Sequence, residues 1–205
     1  MIRKTLALAV LFFFGLASYA KDELKIPSEK PKLIIGIYIE QMRYNFLYKY
    51  WDKFEKDGFK RLVTQGTLCR NVSVSYLHTQ NASGCATIAT GCNPSGHGIV
   101  AEKWYASLKN QIVSATYNEG IETIGGSYEA GKHGPLNMLS TTFADEIKIA
   151  NEGKSKVVSV GLNPEMVVLA GGQSADAAYW LDLKKRLLDY QFVLYRFAAA
   201  LGKRF

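Results

Sequence analysis

The chain has 205 residues, 48% of them hydrophobic and 21% charged, a globular composition that excludes the disordered and fibrous classes. Its formal charge of +7 sits at the two ends: Arg3 and Lys4 at the start, and Lys184, Lys185, Arg186, Arg196, Lys203 and Arg204 near the finish, opposed only by Asp189. The stretch between carries 17 basic and 17 acidic residues, 25 less eight and 18 less one, so it has no net electrostatic footprint for nucleic acid.

The first twenty residues read as a secretory signal peptide. Arg3 and Lys4 are followed by an apolar run from Leu6 to Leu16, and Ser18-Tyr19-Ala20 supplies small residues at the cleavage positions. The run is short for a membrane span, so none is expected after cleavage. Residues 21–30 are polar and hold Pro27, which suits a leader. Leu33 to Ile39 is a continuous apolar, β-branched run, predicted as a parallel strand buried on both faces and ending at Glu40. In open α/β sheets, ligand sites lie beyond the carboxyl ends of such strands. Met42 to Gln65 has aromatic residues near helical spacing, with Gly58 as a possible interruption. Leu68 to Tyr76 is predicted as a second strand, and Ala86 to Thr90 as a short helix in a small-residue stretch from Asn81. Gly91 to Gly98 reads as a loop and Gly120 to Pro135 as irregular. Ser140 to Asn151 is predicted as a helix capped by Ser140 or Thr141, with Asp145 and Glu146 in its first turns. Lys156 to Leu162 is a further strand. This order implies an α/β fold with a parallel-rich central sheet flanked by helices. Cys69, Cys85 and Cys92 match no zinc-site spacing and read as small core or loop residues.

Six stretches resemble one family in the right order. Gly36-Ile37-Tyr38-Ile39-Glu40-Gln41-Met42-Arg43 resembles its G-I-x-x-D-Q-M-R, and Asp57-Gly58-Phe59-Lys60-Arg61-Leu62 its G-G-F-K-R-L. Ala86-Thr87-Ile88-Ala89-Thr90-Gly91, Pro94, His97-Gly98-Ile99 and Trp104 follow its A-T-x-x-T-G-x-x-P-x-x-H-G-I pattern and later Trp. Thr141-Thr142-Phe143-Ala144-Asp145-Glu146 and Ala175-Asp176-Ala177-Ala178-Tyr179-Trp180 also fit. On these the chain resembles the alkaline phosphatase superfamily, close to the type I phosphodiesterase/nucleotide pyrophosphatase-like periplasmic phosphatases that use a Thr nucleophile. The resemblance runs from about Pro31 to Asp182, which sets residues 31–182 as a partial, truncated alkaline-phosphatase-like domain.

The resemblance implies phosphate ester hydrolysis at two zinc ions, which bind the attacking and leaving oxygens. A hydroxyl nucleophile attacks phosphorus, and amide and cationic groups stabilise the phosphoryl oxygens. Carried over position by position, the first metal ligand falls at Glu40, where the family has Asp. The added methylene displaces the oxygen by about one C–C bond in a site sensitive to shifts near 1 Å. The nucleophile falls at Asn81, whose amide cannot attack. Thr79 and Ser83 are neighbouring hydroxyls at the wrong places, and Cys85 lies where the family often has His. The phosphate-contacting Asn falls at Glu102, and the cationic Lys-x-Arg pair at Asn163 and Glu165. An amide and two cations are thus replaced by two carboxylates and an amide, and carboxylates repel phosphate. His97 reads as a loop histidine that holds backbone rather than a ligand.

The resemblance stops after Asp182. Residues 183–205 form a basic tail that reads as an amphipathic helix or as a shifted reading frame. Back-translated from Lys185 with chosen codons and read one base later, the tail can give a Ser-Ser-Tyr-Tyr string like the family's own continuation. The expectation is an exported, periplasmic or secreted family member without catalytic activity in this chain, a pseudoenzyme with no productively bound zinc. The rivals are an active zinc-dependent phosphomonoesterase or phosphodiesterase with altered ligands, and a non-catalytic periplasmic binding or scaffold protein.

Overall fold

The computed structural model describes residues 31–121 and 131–182, together with the strand Phe192–Tyr195. The signal, the leader, most of the Gly-rich stretch and the rest of the tail lie outside the described residues. Two compact units divide the chain, Met1–Ile37 and Tyr38–Phe205.

In the first unit, residues 31–37 run extended without strand pairing, and Leu33, Ile35 and Ile37 are exposed. This corrects the expectation of a buried strand over 33–39, because Tyr38 and Ile39 of the second unit are unpaired as well. Apolar, β-branched sequence favours extended backbone, but a strand exists only where a neighbour accepts its N–H and C=O groups. No such neighbour is found among the described residues. Leu68 to Tyr76 differs for the same reason: it is unpaired, with Val72 and Val74 exposed.

The second unit begins with broken helix where one helix was predicted. Helix α1 (Phe46–Lys49) passes into a 3-10 turn at Trp51–Lys53. Helix α2 (Phe59–Gln65) starts after Gly58, whose φ of 66° is reached without strain only by glycine. The family-like Gly-Phe-Lys-Arg-Leu run therefore marks a helix start. Helix α3 (Asn81–Thr90) is twice as long as predicted and ends at left-handed Gly91. Its buried residues Ala82, Cys85, Ala86 and Ala89 recur at i, i+3, i+4 and i+7, one face of a helix. All are small, so another helix can approach closely. A short helix, α4 (Pro94–His97), then replaces the expected loop.

Strands β1 (Lys103–Ala106) and β2 (Gln111–Ser114) form an antiparallel hairpin with Trp104 opposite Val113. Helix α5 (Phe143–Ala150) carries a complete capping box, but its cap is Thr142 rather than Ser140 or Thr141. Strand β3 (Val158–Gly161) lies within the predicted 156–162. Helix α6 (Pro164–Gly171) leads to β4 (Ala177–Leu181), which pairs parallel with β3 and antiparallel with β5 (Phe192–Tyr195). The β3–α6–β4 unit is the parallel crossover of an α/β fold. The α/β class thus stands, with two small sheets ordered β1-β2 and β3-β4-β5 among the described residues.

The core lies where α3 packs on α6 over β4. Ala82, Cys85 and Ala86 of α3 meet Val167, Val168 and Leu169 of α6, with Trp180 of β4 fully buried beneath and Ile99, Ala115 and Met138 closing the sides. This packing sets α3 against α6, with the Cys85 Sγ 3.4 Å from the Met166 carbonyl oxygen.

Candidate functional site

Four of the expected site positions lie at or next to element starts: Asn81 at α3, Glu102 before β1, and Asn163 and Glu165 at α6. Asn81 is the first residue of α3 and is exposed. Gln80 caps the helix by position, but its side chain turns elsewhere: its Oε1 accepts the Glu102 N–H at 3.0 Å. That contact ties the start of α3 to the residue before β1, across 22 positions of sequence.

Asn163 is the N-cap of α6. Its Oδ1 accepts the N–H groups of Glu165 at 2.8 Å and Met166 at 3.4 Å, and Pro164 follows at the first helical position. Asn163-Pro164-Glu165 is a helix start signal, a role the sequence reading did not assign. Glu165 lies in the first turn, where a helix dipole favours a carboxylate. Its pKa is nevertheless raised, chiefly by burial and then by the negative charge of Glu102, while Lys103 opposes the shift. Glu102 and Glu165 are therefore electrostatic neighbours, and Lys103 is a partner that sequence reasoning missed.

Glu40 is exposed, and its charge reaches Cys85. The Cys85 thiol is pushed up to about 12, by burial first and by Glu40 second. Its Sγ lies 3.4 Å from the Met166 carbonyl oxygen, one residue beyond Glu165. Tyr38 is raised by burial and by Cys85. Glu102 thus couples to Glu165, the Glu102 N–H is held by Gln80 next to Asn81 in the chain, and Glu40 couples to Cys85 of α3.

The Ser83 hydroxyl near Asn81 is committed. Ser83 is buried and donates to His78 O at 2.8 Å and to Gln80 O at 3.2 Å. His97 is fully buried. Its Nδ1 accepts the Ile99 N–H at 3.1 Å, so the ring proton sits on Nε2 and points to Thr87 Oγ1 at 3.0 Å. Thr87 Oγ1 in turn lies 2.7 Å from the Tyr76 hydroxyl. Both ring nitrogens are occupied by protein, and burial lowers the pKa of the ring. His97 holds the α4 turn in place. The three cysteines are free.

The residues present do not fit a two-metal centre. Among the described residues no three His, Cys, Asp or Glu side chains are grouped to hold an ion. The Cys85 thiol, which feels the Glu40 charge, is held near 12 and resists the deprotonation that metal binding requires.

What remains is a β3–α6–β4 crossover with α3 packed on α6, and two interacting carboxylates, Glu102 and Glu165, near the start of α6. The family model for type I phosphodiesterase / nucleotide pyrophosphatase matches residues 34–134. The chain is 35% identical over 182 residues to the calcium-transporting ATPase of Myroides odoratus, covering 89% of this chain and 32% of the relative. It is 37% identical over 154 residues to alkaline phosphatase PafA of Elizabethkingia meningoseptica, covering 75% of this chain and 28% of the relative. A crystal structure of PafA with Thr-to-Ser, Asn-to-Ala, Lys-to-Ala and Arg-to-Ala substitutions superposes with a TM-score of 0.71 at 35% identity, covering 76% of this chain and 29% of that one. The chain belongs to the alkaline phosphatase superfamily. It spans about a third of the length of the curated relatives it matches. No helix among the described residues is long and apolar enough to cross a membrane.

Proposed function

We propose that this chain is an exported, catalytically silent member of the superfamily, with the fold of a phosphate ester hydrolase and without its chemistry. The observation that carries this is the coupling of Glu165 to Glu102, whose N–H is held by Gln80 at the start of α3. The PafA form that superposes here was altered at a Thr, an Asn, a Lys and an Arg. On the family resemblance, those are the residue types missing from positions 81, 102, 163 and 165. Asn81 offers an amide where an attacking oxygen is needed. Glu102 and Glu165 present acceptors and negative charge where a phosphoryl group needs donors and positive charge. Asn163 spends its Oδ1 on the α6 cap. No step of phosphoryl transfer can be written through these groups.

Zinc in the family would meet Glu40 first here, and the donor set around Glu40 does not complete a site. The proposal also takes residues 1–20 as an export signal to the periplasm or medium, residues 31–182 as part of the family domain, and the tail from 183 as frameshifted. A phosphate ester is the family's substrate class; no partner is assigned to this chain.

The test is turnover of a nitrophenyl phosphate monoester and diester by the purified chain, with and without added zinc. Background rates are expected. Turnover that scales with protein and survives Glu165→Ala would refute silence and favour a live enzyme with altered ligands. Resequencing the codons for 182–205 tests the tail, since one base should restore a family-like frame if the shift is real.

A further inference from the structure

The charge of the second unit is unevenly spread. Arg43 to Arg61 carries six basic residues, Arg43, Lys49, Lys53, Lys56, Lys60 and Arg61, against three acidic ones, Asp52, Glu55 and Asp57. Its excess of three positive charges stands out because the rest of the middle region, 11 basic and 14 acidic residues, carries a net charge of −3.

The same stretch is rich in aromatic residues that the fold does not bury. Neither α1, the 3-10 turn nor α2 contains a buried residue. Tyr44, Tyr48 and Tyr50 are 57%, 51% and 42% exposed. They are held in a defined arrangement. The rings of Tyr44 and Tyr48 meet at a 59° tilt with centroids 5.3 Å apart and share a hydroxyl contact of 2.9 Å. Phe46 packs on Tyr50 at 5.7 Å. Lys49 lies over the Tyr50 ring and Lys60 over the Trp51 ring, at 5.4 and 5.9 Å.

Tyr and Trp rings interleaved with lysines suit the boundary between water and lipid. The rings have an apolar body and a polar tip, and an ammonium on a long stem reaches the phosphate layer. We propose that the Arg43–Arg61 segment is a peripheral docking surface for an anionic phospholipid bilayer. Its tyrosines enter the headgroup layer and its lysines pair with lipid phosphates. The complementarity is electrostatic first, because no helix here is long enough for deep insertion. The surface lies outside the candidate site and is independent of whether that site is silent.

The test is co-sedimentation of the purified full chain with vesicles of phosphatidylcholine alone and of phosphatidylcholine with about one third phosphatidylglycerol. Binding is expected only with phosphatidylglycerol and is expected to vanish near 1 M salt, where the Debye length is about 3 Å. Lys49→Glu with Lys53→Glu is expected to weaken it by at least about 30-fold. Tyr44→Ser with Tyr48→Ser is expected to weaken it at constant charge. Far-UV circular dichroism keeps both pairs honest, since all four side chains are exposed. Three outcomes overturn the proposal: binding indifferent to phosphatidylglycerol; binding lost with Lys184→Glu and Lys185→Glu in the tail but kept in both segment variants; or self-association that the segment variants abolish, which would make the surface an interface between copies.

Discussion

Replacing Asp145 with Ala is expected to cost about 3–5 kcal/mol of folding stability. The carboxylate is 2% exposed and accepts five contacts. Oδ2 takes the Thr142 N–H at 2.9 Å, the Thr142 hydroxyl at 2.9 Å and the Gln173 N–H at 3.2 Å. Oδ1 takes the Ser174 N–H at 2.7 Å and the Ser174 hydroxyl at 2.6 Å. One side chain thus closes the capping box of α5 and pins the turn between α6 and β4. Ala strands three backbone N–H groups, each costing about 1–3 kcal/mol if left dry. The two hydroxyls can rotate to other acceptors, and water entering the vacated space lowers the sum, so the total falls short of strict addition. Such a loss is a large share of the roughly 5–15 kcal/mol that holds a typical domain. Asp145→Asn keeps the shape but sets an NH2 against donors on one side, so about half the loss is expected. Urea unfolding followed by tryptophan fluorescence reads the totals, with Trp180 buried in the core as reporter. Amide exchange at Gln173 and Ser174 reads the local release. A loss under about 1 kcal/mol for Ala, or equal losses for Ala and Asn, would refute the account.

Gly172 adjoins the same network at φ +80, and an added Cβ would overlap Thr142 Oγ1 and Asp145 Oδ2. Gly172→Ala is therefore expected to cost about 3 kcal/mol or more in the same urea titration, and tolerance within 1 kcal/mol would contradict the packing. His97 and His133 both have pKa values lowered by burial, from 6.5 in the unfolded chain. Below that value the unfolded state takes up more protons, so stability is expected to fall as pH drops through 6.5 toward the folded values; a flat profile between pH 7 and 5 would sink this. Glu165 has the opposite linkage. Its raised pKa means the folded state binds more protons, so its contribution is lost as pH rises from 4.5 through the raised value. Glu165→Gln is accordingly expected to be neutral or stabilising at pH 7 and to converge with wild type near pH 4. Destabilisation at pH 7 would show that the carboxylate makes a favourable contact outweighing its burial and Glu102. Asp176 is a counterweight. Burial raises its pKa, but hydrogen bonds from Lys148, the Val157 N–H and Lys156 outweigh this and hold it at about 2. Asp176→Asn is expected to destabilise at pH 7, with the difference from wild type shrinking as pH falls from 3.8 toward 2; an unchanged difference would refute the ion pair's role.

Signals confined to one turn of chain were legible in the sequence. Gly58 breaks the first helical stretch because only glycine accepts its φ without strain. Asp145 and Glu146 announce α5, although the cap moved to Thr142, whose hydroxyl and N–H both reach Asp145. Lys156 to Leu162 gave a strand because β4 is there to pair with it. Leu33 to Ile39 and Leu68 to Tyr76 have the same composition and form none, since pairing is a property of two segments. Family membership was also legible, carried by short motifs in order.

The residue identities at positions 40, 81, 102, 163 and 165 come from sequence alone, and with them the absence of a hydroxyl at 81 and of cations at 163 and 165. Their mutual placement does not. Glu102 and Glu165 are 63 positions apart, and nothing local says that one raises the pKa of the other. That follows from small residues on α3 letting α6 pack close, from β3 and β4 pairing in parallel around α6, and from Gln80 reaching across to the Glu102 N–H. Asn163 shows the division most directly: read along the chain it is a lost cation, and in the fold it is the cap of α6. Side-chain chemistry is written residue by residue, but electrostatic coupling depends on distance through space, and only the folded chain sets that distance.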